Sequence, residues 1–282
     1  MLEILLLAGL VVFVTHSIES ITGFGCTVLA LPFVIFLMKD LEQAKILLSI
    51  LAWILAVYFV AAKFKSINWK QFGIILLLAG LGMPIGMWVF MNLDAVILMK
   101  LLGIFIVLSA AIQLYKCFFG IRLINTQPSQ NHTDSNGSKK ISFHLHNQCY
   151  SDANRLVKQL HKVSGYFFLF AGGIVHGAFA AGGPLVVLYS AGKIPDKAQF
   201  RATMCLLWTT LNTALMIRFM LEKKLNLEVG RNLLVLLPFL VAGIIAGDAI
   251  HKKVNETLFK KIVFASLLLV GIVMIFQKIS IN

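Results

Sequence analysis

The chain has 282 residues, of which 59% are hydrophobic and only 13% charged, with a mean hydropathy of +0.88. So apolar a composition excludes an ordinary soluble domain and describes an all-α polytopic membrane protein. The net charge of +13 is no sign of a nucleic-acid partner, because Lys and Arg sit almost wholly in short connections between apolar runs, where they set topology.

The opening stretch MLEILLLAGLVVFV lacks a basic leader region and a small-residue cleavage site, so it is expected to remain as the first membrane segment. Ile4 to Ile21 is apolar but carries His16, Glu19 and Ser20, and it runs into Thr22-Gly23-Phe24-Gly25. A second apolar run, Cys26 to Met38, follows and contains Pro32. The pattern predicts a helix, a glycine break and a short helix. Ile46 to Ala62, Phe72 to Met91 and Ala95 to Tyr115 are each long enough to span, with Trp69 as an interfacial anchor. Residues 120–162 then turn polar and aperiodic, which predicts a flexible cytoplasmic linker between membrane halves at 1–119 and 163–282.

The second half begins with Val163 to Ala181 and meets Gly182-Gly183-Pro184, after which only eight apolar residues, Pro184 to Ala191, precede polar sequence. A spanning helix needs about 20 residues, so this is the short limb of a second broken helix. Proline fits the first turn of a helix, where its missing N–H would be unpaired anyway, so Gly182 and Gly183 form the turn and Pro184 opens the limb. Ala202 to Leu221, with Asn212 at mid-depth, Leu233 to Ile250 and Leu258 to Phe276 complete the set.

The halves repeat one plan. Gly82, Gly86, Asp94 and Lys100 recur 161 residues later as Gly243, Gly247, Asn255 and Lys261. Asp40, Gln43 and Lys45 recur at an offset of 156 as Asp196, Gln199 and Arg201. A broken pair that enters and returns leaves three net crossings per half, and an odd number inverts the second copy. Alternate loops should then differ in positive charge, and four of them, at 63–70, 116–162, 193–201 and 252–261, hold 17 of the 25 Lys and Arg. The linker is therefore expected in the cytoplasm and both termini outside.

Inverted repeats with broken helices belong to alternating-access carriers, which bind substrate near mid-membrane where half-helix ends meet. Backbone groups freed by a break have no water to satisfy them unless they line a cavity, and the positive start of a helix attracts anions. Gly23, Phe24, Gly25 and Thr27 in the first half, and Gly182, Gly183 and Pro184 in the second, are the expected anion-binding positions. Close helix packing through small residues is the competing explanation for any single glycine.

Two segments, ESITGFGCTVLALPF and GGIVHGAFAAGGPLVVLY followed by IPDKAQFRAT, resemble the sulfite exporter TauE/SafE family of membrane permeases, over roughly residues 4–276. The resemblance implies a multi-pass inner-membrane permease for sulfite, sulfonates or related organic acid anions.

Glu19 and His176 are candidates for proton coupling, because a titratable group at membrane depth can change charge as the site opens to either side. His16 precedes Glu19 by three residues and could pair with it on one helical face. Arg201 offers a guanidinium for an oxyanion, though it also reads as an ordinary topological charge. Ser20, Thr22 and Tyr189 offer hydroxyl donors to the same anion, and helix–helix hydrogen bonds explain them almost as well. His132, His144, His146 and Cys149 in the linker match no standard zinc spacing, so no metal and no cofactor is expected. The chain has no nucleotide-binding P-loop, HExxH or GxSxG, which argues against ATP hydrolysis and against an intramembrane enzyme. An assembly subunit would gain nothing from broken helices. The expected partners are a small anion, membrane lipid and a possible second copy of the chain.

Overall fold

The computed structural model describes residues 2–119, 165–190, 193–194 and 196–251, with isolated positions at 268, 272 and 275. The expected linker lies outside the described residues, with its histidines and Cys149, and so does almost all of the Leu258 to Phe276 span.

All regular structure among the described residues is helical: α1 (Leu2–Thr22), α2 (Cys26–Met38), α3 (Leu41–Lys63), α4 (Trp69–Asn92), α5 (Ala95–Phe119), α6 (Gly165–Phe179), α7 (Gly183–Ser190), α8 (Lys197–Leu221) and α9 (Leu227–His251). Five of these, α1, α3, α4, α8 and α9, are long and apolar enough to cross a membrane, α3 together with the 3-10 turn Phe64–Ser66. Leu77, Leu81, Ile85 and Trp88 recur every three or four residues along α4 and are all exposed, as are Leu234, Val241 and Ile245 on α9. Such outward apolar stripes suit acyl chains. The protein is a multi-pass membrane protein.

The sequence placed these elements well and their ends less so. α3 begins five residues before Ile46 and α8 five residues before Ala202, because Asp40 and Asp196 cap them outside the apolar runs. Each carboxylate accepts the backbone N–H three residues on, from Gln43 at 2.9 Å and from Gln199 at 2.8 Å. α9 likewise starts at Leu227, where the Asn226 side chain accepts from the Val229 N–H.

Two crossings set the shape, and both run on glycine. α1 lies along α9, where a Cβ on Gly243 or Gly247 would press on the carbonyls of Phe13 and Ser17. On the other side α4 meets α6, where a Cβ on Gly82 or Gly86 would overlap the carbonyls of Phe170 and Ile174, and one on Gly173 or Gly177 those of Ala79 and Met83. Small residues let the backbones approach this closely, which favours association in lipid. Between the crossings, α3 packs along α8, held by Trp53 Nε1 donating to Thr213 Oγ1 at 2.9 Å. The long third helices thus clasp the broken first helices, α4 on α6 and α9 on α1.

Candidate functional site

The first break is a turn built on two left-handed glycines. α1 closes with Gly23 N–H donating to the Glu19 carbonyl at 2.7 Å, and Gly23 and Gly25 take φ of +81° and +104° before α2 starts at Cys26. The Thr22 hydroxyl is taken up locally, bonding to the carbonyls of Ile18 and Phe24 at 2.9 and 2.8 Å. Glu19, buried in the last turn of α1, accepts the Cys26 N–H on Oε2 at 2.8 Å. Its carboxyl group therefore occupies the N-terminal end of α2. A charge-assisted bond of this kind satisfies an amide that otherwise has no partner in the helix.

The second break uses a different residue for the same turn. α6 ends at Phe179, and Ala180 takes φ +54°, with its N–H on the His176 carbonyl at 2.7 Å. Gly182 packs back against the Gly172 carbonyl, α7 begins at Gly183, and Pro184 lies in its first turn. The two turns face each other: a Cβ on Gly183 would lie 3.6 Å from Phe24 Cδ2 and 3.8 Å from Gly25 N.

α8 supplies the wall. Trp208 Nε1 donates to the Gly23 carbonyl at 3.0 Å, and its ring stacks on His176 at 5.4 Å between centroids and 22° between planes. Asn212 follows one helical turn later on the same face. Glu19, Gly25, Thr27, His176, Gly183, Trp208 and Asn212 line a cavity of ≈ 20 Å³, room for one water-sized group. Both ring nitrogens of His176 and Oδ1 of Asn212 are buried with no hydrogen bond of good geometry, and the two side chains lie close enough to interact with each other. Unsatisfied polar atoms of this kind cost about 1–3 kcal/mol each.

Of the residues singled out from the sequence, Glu19, Gly25, Thr27, His176 and Gly183 line this cavity, with Gly23 and Phe24 in the turn beside it. Others lie elsewhere. Ser20 is buried against Gly247 of α9. Tyr189 bonds to Gln71 Oε1 at 3.3 Å and packs on Tyr166. Arg201 packs by its Cα, Cβ and Cγ on Gly23 of the first turn, but its guanidinium pairs with Asp248 at 2.9 Å and lies 3.7 Å over the Phe59 ring. His16 bonds through Nδ1 to the Val12 carbonyl at 2.9 Å rather than to Glu19. Trp208 and Lys45 were not among the expected site residues, and Asn212 was noted only for its depth. The spacing of Trp208 and Asn212, four apart in an apolar helix, was the signal available for them.

No curated protein and no solved structure matches the chain. A family model described as Sulfite exporter TauE/SafE matches residues 7–274 and so takes in both breaks and every helix described above except the first five residues of α1. Both glycine-broken pairs that carried the resemblance lie inside that match, and the chain belongs to the TauE/SafE sulfite exporter family of membrane transporters.

Proposed function

We propose that the protein is a secondary-active permease of the cell inner membrane for small oxyanions such as sulfite, sulfonates or related organic acids, and that it is no enzyme. The anion is held between the starts of α2 and α7. The observation that carries this reading is the cavity itself, placed between two facing helix starts and lined by His176 and Asn212, whose buried polar atoms have no hydrogen bond of good geometry. A helix start alone attracts anions only weakly, by about 0.3–1 kcal/mol; the His176 ring N–H adds a donor, and the Asn212 amide adds one once it turns its NH2 rather than Oδ1 to the cavity.

Glu19 supplies the coupling. Its carboxylate occupies the amide that an arriving anion would use, so the two compete, and protonation of Glu19 removes the competitor and its charge together. Anion and proton then bind to each other's advantage, the thermodynamic requirement for moving them together. In the present conformation only a water-sized group fits, so admitting an anion requires the turns or Trp208 to shift. Two inverted repeats are the natural source of that shift. In support, α4 clasps α6 as α9 clasps α1 through glycines at matching positions, and the Asp40 and Asp196 caps correspond.

Purified protein in liposomes, offered sulfite, sulfoacetate, taurine and acetate on one side, should accumulate or exchange at least one of them. If protein-containing liposomes match empty ones for the whole panel and for an extended set of organic anions, the permease reading is wrong.

A further inference from the structure

Lys45 is a buried cation in α3, 3% exposed, and no carboxylate of the described residues lies within ion-pair distance of it. Its Nζ donates to the Gly177 carbonyl at 2.9 Å and lies 3.7 Å over the Phe90 ring. Those contacts soften the charge without neutralising it, and an ammonium at membrane depth is costly unless something else compensates. Lys45 also lines a second cavity of ≈ 10 Å³, too small for an anion until its ion pairs open, bounded by Glu42, Phe90, Arg218, Glu222 and Lys224. The latter charges form a chain across the halves: Arg218 pairs with Glu222 at 2.6 Å, and Lys224 pairs with Glu222 at 3.2 Å and with Glu42. Three basic side chains face two carboxylates there, and the one that pairs with neither is the buried Lys45.

We infer that Lys45 is an anion-binding station between this ion-paired vestibule and the central cavity, and that it supplies the counter-charge for a small oxyanion on its way in or out. The inference rests on the permease reading and adds to it a residue and a route. The place of Lys45 follows from its contacts: one side lines the vestibule cavity, while its ammonium touches Gly177, the residue after the cavity-lining His176. An anion in the vestibule competes with Glu42 and Glu222 for Lys224 and Arg218, which opens the chain of pairs, and Lys45 then takes the anion before it reaches His176. Oxyanions accept several charge-assisted hydrogen bonds, which suits an ammonium whose three donors include two not spent on Gly177.

The test uses the full chain in liposomes with sulfite as probe. Lys45→Gln should raise KM for sulfite at least tenfold with little change in maximal rate, and Lys45→Arg should stay within threefold of the unaltered protein. In detergent, sulfite should raise the melting temperature of the unaltered protein and of Lys45→Arg but not of Lys45→Gln. A residue acting only as a strut on Gly177 would change stability and maximal rate and leave KM alone. A normal KM and a normal sulfite-induced shift in Lys45→Gln overturn the inference, as does an Arg variant as impaired as the Gln variant. If Lys45→Gln yields no folded protein, Glu42→Gln carries the test: freeing Lys224 should lower KM for sulfite, and an unchanged or raised KM overturns the station. Transport by the unaltered protein with these variants unaffected removes Lys45 alone, whereas unaltered protein that moves no anion removes the permease reading and Lys45 with it.

Discussion

At the residue scale, the site depends on which polar atoms are already committed and which are left open. Thr22 and Tyr189 have partners, and Arg201 has Asp248, while His176 and Asn212, which both line the cavity, have no hydrogen bond of good geometry. Glu19 stands between these groups, bonded to Cys26 N yet part of the cavity wall. Replacing it by Gln keeps an acceptor for that amide and removes the titration. Uptake by Glu19→Gln should therefore lose its pH dependence, and a pH profile matching the unaltered protein would exclude Glu19 from coupling. Asn212→Leu fills the same space with no polar atom, so the expected outcome is a protein at least as stable but with uptake reduced at least tenfold. The glycines, Glu19 and His176 were legible in the sequence because a charge or a break inside an apolar run stands out. Asn212 and Trp208 were less so: an amide and an indole are common in membrane helices, and only the fold brings them to His176. Lys45 was visible as the counterpart of Arg201, but a lysine at the edge of an apolar run reads as a topological charge until its burial is seen.

At the element scale, the two breaks solve one geometric problem with different residues. Gly23 and Gly25 adopt left-handed conformations at little cost, whereas Ala180 holds φ +54° with a Cβ in the way. A non-glycine residue there costs about 1–2 kcal/mol, partly offset by the unfolded-state entropy that glycine would add, about 0.4–1 kcal/mol. Ala180→Gly should accordingly leave the melting temperature unchanged or raise it slightly, and a clear fall would mean that the Ala180 methyl packs for more than the strain it costs. Gly25→Ala meets no atom within 4 Å but forces a side chain to φ +104°, so it should lose about 1–3 kcal/mol through strain alone. Gly183 is the informative contrast. A methyl there would make ordinary contact with Phe24, so Gly183→Ala should fold normally while narrowing the gap between the turns, and its sulfite uptake should fall while its melting temperature holds. Helix ends were the least legible feature of the sequence. Hydropathy marks where hydrocarbon begins, whereas Asp40 and Asp196 start their helices in polar sequence one turn earlier.

At the scale of the whole molecule, the vestibule charges and the repeat each make a claim about how the halves meet. Burial alone would push the Glu222 carboxyl up, but hydrogen bonds from Arg218 and Lys224, with their charges, outweigh it and hold it below the usual carboxylate range. Burial pulls Lys224 down, and its bonds to Glu42 and Glu222 outweigh that and hold its ammonium above the usual lysine value. A depressed carboxyl stabilises fully above its unfolded value and stops doing so as pH falls through its folded one. A raised ammonium stabilises fully below its unfolded value and stops as pH rises through its folded one. The pairs of Glu222 with Arg218 and Lys224 are thus intact from about pH 5, above the ordinary carboxylate value, to about pH 10, below the ordinary lysine value. Glu222→Gln should leave the pH profile of uptake unchanged across that window and should flatten the acid-side fall in melting temperature expected of the unaltered protein.

Inversion of the halves is tested by where single cysteines react. Lys65, Lys193 and Leu93 are exposed between the long helices, and Glu228 is exposed in the first turn of α9. If two inverted copies make up the chain, three net crossings separate corresponding loops, and the Lys-rich loops share the cytoplasmic face. In a background lacking the four native cysteines, Lys65→Cys and Lys193→Cys should react with a membrane-impermeant maleimide only from the cytoplasmic side of oriented vesicles, and Leu93→Cys and Glu228→Cys only from the opposite side. Labelling of Lys65→Cys and Lys193→Cys from opposite faces would make the halves parallel. Their helix starts could not then open alternately to the two sides by one rocking motion, and the symmetry that gives the cavity two routes of access would be lost.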